Sequence, residues 1–238
     1  MKNFLYKLFE IILVLSIIVY LGYSEYNRRH PKEEKPIITS YEKSNIPDYT
    51  NESYIYINNN EPVFDENDKN KESFETYSDL DELGRCGVAY ANLSYDLMPT
   101  EPRGNISYIK PSGWRISKYD WIEGEYLFNR CHLIAYSLAG ENDNIRNLIT
   151  CTRYLNATTM QDFEIQVANY IRKTKNHVLY RVTPVFEGEN LIAKGVQMEA
   201  LSIEDNGKGI KFNIFAYNIE PKVKINYLNG ENSLITEN

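Results

Sequence analysis

His132 closes the run Asn129-Arg130-Cys131-His132, Asn156 follows twenty-four residues later, and Glu164 lies eight beyond that. An imidazole titrates near neutrality and can take a proton from water. A neutral amide oxygen suits a hard cation that sheds its own water reluctantly. A carboxylate behind such a cation can hold its water shell in place. An imidazole, an amide oxygen and a carboxylate are the parts needed for metal-assisted attack of water on a phosphodiester. The chain has only His30, His132 and His177, and the spacing of a His-based zinc site is absent.

These side chains need a strand and a helix to carry them. Phe163, Val167, Tyr170 and Ile171 fall at i, i+4, i+7 and i+8, which predicts a helix with one apolar face packed on a sheet. Thr158 or Thr159 is placed to cap its start, and the Lys173-Thr174-Lys175-Asn176 run suits its end. Glu164 then sits in the first turns, beside the apolar face, leaning over a loop that carries Asn156. The segment ahead of His132, rich in Tyr, Leu and Phe, reads as a strand.

Taken in order, the knot at 129–132, a loop with Asn147-Leu148-Ile149, the run Thr152-Arg153-Tyr154-Leu155-Asn156 and then Phe163-Glu164 resemble the DNA/RNA non-specific endonucleases. Those enzymes carry a ββα-metal, or His-Me finger, site and usually spell the knot Asp-Arg-Gly-His. The resemblance runs from about Tyr54 to Tyr227 and takes in Tyr56-Ile57-Asn58-Asn59-Asn60 and Gly84-Arg85-Cys86-Gly87. It is nearest to membrane-anchored nucleases of Gram-positive type, which include DNA-entry nucleases.

The resemblance implies an α+β fold, an antiparallel sheet with a ββα-metal catalytic core. It implies a metal-dependent, sequence-non-specific endonuclease acting on DNA, with RNA left open. His132 would be the general base, Asn156 the ligand of Mg²⁺ (Mn²⁺ being the alternative), and Glu164 the residue that fixes the cation's water. Arg130 would stabilise phosphate charge or hold the site, Asn129 and Asn147 would support it, and Arg153 and Arg172 would contact substrate. The chain departs from the pattern in having Asn129 for Asp and Cys131 for Gly. Ala168 also stands where some relatives carry Arg, which leaves a phosphate contact to Arg153 or Arg172.

The 238 residues suffice for one well-cored domain plus a tail or anchor. A net charge of −7 argues against a protein that coats nucleic acid, since phosphate contacts need Lys and Arg. From Arg103 to Arg181, however, eleven Lys/Arg face seven Asp/Glu, a local excess of +4 around the proposed site. Arg103, beside a turn glycine, reads as an ordinary exposed arginine in preference to a phosphate contact. Tyr is heavily used, twenty against two Trp and nine Phe, and some of these rings are of the kind that stacks on bases.

Cys86, Cys131 and Cys151 include no CxxC pair, which argues against a zinc knuckle. Buried free thiols are the default, and a Cys86–Cys131 bridge is the alternative that the resemblance suggests by placing both near the site.

Residues 1–23 carry Lys2 and Lys7 and an apolar run from Ile11 to Tyr23, read as an uncleaved signal anchor in preference to a cleaved signal peptide. A nuclease facing the cytoplasm would threaten the host's own nucleic acid, so the domain is expected outside the membrane, with a secreted form as the alternative. Residues 24–50 read as a polar linker, 51–230 as the endonuclease domain and 231–238 as a tail. Tyr54–Ile57 and Pro62–Phe64 flank an Asn-rich turn and predict a hairpin; 177–186, 191–203 and 209–219 predict three antiparallel strands. Two other readings compete: a hydrolase using Cys131 with His177, and a tethered module that binds DNA without cutting it.

Overall fold

Val178, Tyr180 and Val182 alternate toward one face of a strand, Val196, Met198 and Ala200 toward the same face of the next, and all six are buried in one core. This period-two pattern builds the central strands β7 (Val178–Val185), β8 (Gly195–Ser202) and β9 (Lys211–Tyr217), paired antiparallel as expected. The computed structural model describes the backbone of Ile37–Ile38 and residues 47–236. The anchor expected over residues 1–23 lies outside the described residues, and among them no helix is long and apolar enough to cross a membrane.

The other strands of the main sheet are β1 (Ile37–Ile38), β2 (Tyr54–Ile57), β3 (Phe74–Tyr77) and β4 (Ala89–Leu93). The order across the seven strands is β1-β2-β9-β8-β7-β4-β3, with only β1 and β2 parallel. β1 lies within the stretch read as a linker. The hairpin expected over 54–64 does not form. Asn58, Asn59 and Asn60 all take positive φ, and β2 pairs with β9, Ile55 facing Phe215. The would-be return strand is claimed elsewhere, since the Glu199 carboxylate accepts the Val63 N–H at 3.0 Å.

A separate ribbon of β5 (Phe128–His132) and β6 (Leu148–Thr152) carries the knot, with Asn129 opposite Cys151 and His132 opposite Leu148. Between them the chain makes the short helix α1 (Tyr136–Ala139), ended by Gly140 at φ 68°, a left-handed position that glycine takes without strain. β6 runs directly into a helical segment: a π-helical turn over Leu155–Met160, then α2 (Gln161–Thr174). This ββα unit packs on the main sheet through Phe163, Val167 and Ile171. Each contributes roughly 1.5–3 kcal/mol by burial, so Val167→Asp is the single change that would unseat the helix. A last hairpin, β10 (Val223–Ile225) with β11 (Asn232–Leu234), takes in part of the stretch read as a tail.

The start of the helix differs from expectation. Neither Thr158 nor Thr159 caps it; the Thr159 hydroxyl is buried with no partner. The chain is already helical from Arg153, and Thr152 Oγ1 accepts the Leu155 N–H at 3.0 Å, the geometry of an N-cap. Glu220 accepts the Tyr154 N–H at 3.1 Å. Asn156 therefore stands in a helical turn and not in a loop. At the other end Lys175 takes the left-handed cap position, within the run expected to stop the helix.

Candidate active site

The π turn matters for how Asn156 meets Glu164. Eight residues of regular α-helix leave two side chains about 80° apart around the axis. A π turn advances less per residue, which takes up that difference and brings both onto one side. Asn156 and Glu164 accordingly line one cleft of about 300 Å³, with His132, Arg103, Arg153 and Tyr136. The three groups expected to meet do so, from β5, the π turn and α2.

His132 is 6% exposed. Its Nε2 lies 2.8 Å from the backbone oxygen of Asn142, which can only accept, so Nε2 carries the proton and Nδ1 the lone pair. Nδ1 in turn lies 3.4 Å from an Arg103 guanidinium nitrogen, which donates to it. Burial pulls the imidazole down to about 4; the Asn142 carbonyl opposes this and the Arg103 charge adds to it. The ring is thus neutral and proton-accepting at ordinary pH.

Glu164 is moved the other way. Desolvation pushes its carboxyl up to about 8, against the pull of Arg103. Beneath it the buried Tyr180 hydroxyl has no hydrogen-bond partner, and burial, followed by the Glu164 charge, holds that phenol well above its usual range. This half-buried carboxylate faces a cleft that it shares with the Asn156 amide and the Arg103 and Arg153 guanidiniums.

Asn156 is oriented by its neighbour. Its Nδ2 donates to Asn129 Oδ1 at 3.3 Å, which leaves the Asn156 amide oxygen for the cleft. Asn147 is fully buried and holds the chain just after His132. Its Oδ1 accepts the Ile134 N–H at 2.9 Å, and its Nδ2 donates to the Ile134 carbonyl at 3.0 Å. Arg153 pairs with the exposed Glu123 at 2.7 Å. Its Nε is buried without a partner.

Arg130 takes the second of its two expected roles, while Arg172 lies away from the site. Arg130 donates to the carbonyls of Ile109 and Ser107 and lies 3.9 Å over the Trp114 ring, so it braces the rim. Arg172 is exposed on the last turn of α2 and lines neither this cleft nor its neighbour. The cation that does reach the imidazole is Arg103, whose sequence favours an ordinary exposed arginine over a phosphate contact. Asn142 carries no sequence signal. Its side chain accepts the Gly104 N–H at 3.1 Å while its carbonyl holds His132, so one residue ties the Arg103 loop to the imidazole.

The cysteines correct a second expectation. Cys131 is bonded to Cys151 on the adjacent strand, Cα atoms 5.9 Å apart. Cys86 is free and buried, its thiol donating to Leu148 and Ile145 carbonyls and pushed up to about 12 by burial. A Cys86–Cys131 bridge is therefore absent. A Cys131 nucleophile is excluded as well, since its sulfur is tied up, and His177 is engaged by Glu204 at 2.7 Å.

Residues 66–203 match the family described as DNA/RNA non-specific endonuclease. A "Deoxyribonuclease" of Streptococcus dysgalactiae subsp. equisimilis is 33% identical over 117 residues, 47% of this chain and 34% of the relative. The chain thus matches about a third of that relative's length. The fold is similar to NucA from Streptococcus agalactiae, solved with magnesium bound: TM-score 0.68, 22% identity, covering 89% of this chain and 95% of that one. It is also similar to Sda1 nuclease with bound zinc: TM-score 0.57, 29% identity, covering 69% and 81%. Because the family match takes in over half the chain, including His132, Asn156 and Glu164, this protein belongs to the DNA/RNA non-specific endonuclease family.

Proposed function

We propose that the chain is a divalent-metal-dependent, sequence-non-specific endonuclease that hydrolyses phosphodiester bonds of DNA. One observation carries the reading: a neutral imidazole, an amide oxygen and a carboxylate share a single cleft with two arginines.

The donor set fits a hard cation. Asn156 presents an amide oxygen and Glu164 a carboxylate whose raised value a neighbouring cation would bring down. Among the described residues no trio of His, Cys, Asp or Glu forms a closed metal cage. Few direct protein bonds are what Mg²⁺ or Mn²⁺ tolerates. The magnesium in the NucA structure and the zinc in the Sda1 structure favour a divalent ion here. Asn156 would hold the cation and Glu164 would fix its surroundings; when bound, it would neutralise phosphoryl charge in the transition state.

The protein's own groups supply the remainder. His132 Nδ1 takes a proton from the attacking water while Asn142 fixes the ring and tautomer. Arg103 now donates to Nδ1, and a phosphodiester's oxygens would compete for that guanidinium, freeing the lone pair as substrate arrives. The substrate's negative charge also draws the imidazole's affinity for a proton back up. Arg153 sits on the same wall as a second phosphate contact.

The Cys131–Cys151 bond favours an oxidising compartment and hence a domain outside the cytoplasm, on the anchor proposed for residues 1–23. The deciding experiment uses the full chain with plasmid and Mg²⁺. Cleavage should vanish in EDTA and fall by roughly 10²–10⁴ in His132→Ala. Intact plasmid with retained binding would replace this reading with a DNA-binding module.

A further inference from the structure

A second cleft, about 520 Å³, opens on the far side of Arg103, Arg153 and Asn156 from His132. Those three residues line both clefts, so they form the seam between them. The seam carries the cationic side chains and the amide, which suits a phosphate. Beyond it the chemistry changes: Trp114, Ile116, Tyr126 and Phe128 supply apolar and aromatic walls. Ile116 is 71% exposed and Tyr126 47% exposed, large apolar groups left in water beside a charged site.

The wall is held in shape. Trp114 lies under the Arg130 guanidinium, and Arg130 is tied to the carbonyls of Ile109 and Ser107. Tyr126 is bridged through its backbone to Lys118, whose ammonium lies 4.6 Å from the ring centre. A fixed aromatic wall next to a phosphate seat matches a planar base joined to that phosphate. Displacement at phosphorus also has a direction. The attacking water, activated by His132, and the departing oxygen lie in line on opposite sides of the phosphorus.

The geometry points to this second cleft as the seat of the nucleobase on the nucleoside that carries the leaving oxygen, stacked against Tyr126 with the Arg130 guanidinium, which covers the Trp114 ring, beside it. The inference rests on the endonuclease reading and adds to it a direction for the strand. The water side, lined by His132, Tyr136 and Glu164, presents only a small polar opening. Among the described residues lining that cleft, none gives the base on that side a comparable aromatic wall.

The test is a single-stranded oligothymidylate with one tetrahydrofuran abasic residue at its centre, end-labelled and partially digested by the full chain with Mg²⁺. The bond whose leaving oxygen belongs to the abasic residue should be cut roughly tenfold more slowly than bonds elsewhere, the size expected of one lost stack. The bond on its other side should be cut at nearly the ordinary rate. In Tyr126→Ala and in Ile116→Ser, both surface changes, the dip should shrink toward the level of neighbouring bonds. A level ladder from the wild type, a dip on the opposite side, or a dip of undiminished depth in both variants overturns the inference. An unmodified strand left intact by wild-type protein that still cuts plasmid overturns this inference alone, whereas plasmid left intact as well removes the endonuclease reading and this inference with it.

Discussion

The amide of Asn156 donates to the side-chain oxygen of Asn129 across 3.3 Å, joining the strand that ends in His132 to the helical turn that precedes Glu164. The bond decides which end of the Asn156 amide faces the cleft. Asn129→Ala removes that control and should raise the Mg²⁺ concentration for half-maximal cleavage by about tenfold or more. Asn129→Asp, which still accepts, should not. Titration of activity with Mg²⁺ separates the two, and equal behaviour of both variants would contradict the assignment.

His132 makes the metal-free protein sensitive to acid. Its folded value of about 4 lies below the ordinary 6.5, so the unfolded chain binds a proton first as pH falls. The stabilisation is present above 6.5 and is lost progressively down to about 4, on the order of 3 kcal/mol in all. Urea unfolding in EDTA between pH 7 and 4 measures the slope, which His132→Asn should flatten.

Glu164 acts at the other end of the scale. Its folded value of about 8 lies above the ordinary 4.5, so its contribution is intact below 4.5 and lost as pH rises toward 8. At pH 7 without a cation the penalty is on the order of 3 kcal/mol. Glu164→Gln should therefore raise the thermal midpoint in EDTA at pH 7 to 8 while reducing cleavage, a trade of function for stability. A midpoint that falls instead would show that the carboxylate is held by partners other than an absent cation.

Arg103 and Arg172 should part company. Arg103→Ala removes the donor closest to the imidazole and a wall of both clefts, and should cost about 10²-fold in kcat/KM, with Arg103→Lys recovering part of it. Arg172→Ala, on an exposed turn two turns beyond Glu164, should stay within about twofold because screening by salt leaves little interaction. Steady-state rates on one DNA substrate decide it.

Much was legible in the chain itself. The residue types and order of His132, Asn156 and Glu164 marked them out as members of one site, and the fold brings them to one cleft. The spacing of Phe163, Val167 and Ile171 named the buried helix face, and alternation over 178–202 named the central strands. These signals are local: a period of 3.6 or 2 is written into a short window and depends only on which face is dry.

What only the tertiary structure decided is every choice between distant partners. Three cysteines permit three pairings, and the antiparallel register of β5 and β6 selected Cys131 with Cys151. β2 took β9 in place of a nearby return strand, and Thr152 displaced the nearer threonines as the helix cap once β6 held it there. Arg103 became part of the site because Asn142 ties its loop to His132, a link of one side chain and one carbonyl that leaves no periodic trace. Composition and spacing determined which groups this protein carries and the elements beneath them. Chain folding over separations of tens of residues, where packing outweighs any local preference, decided which of them meet.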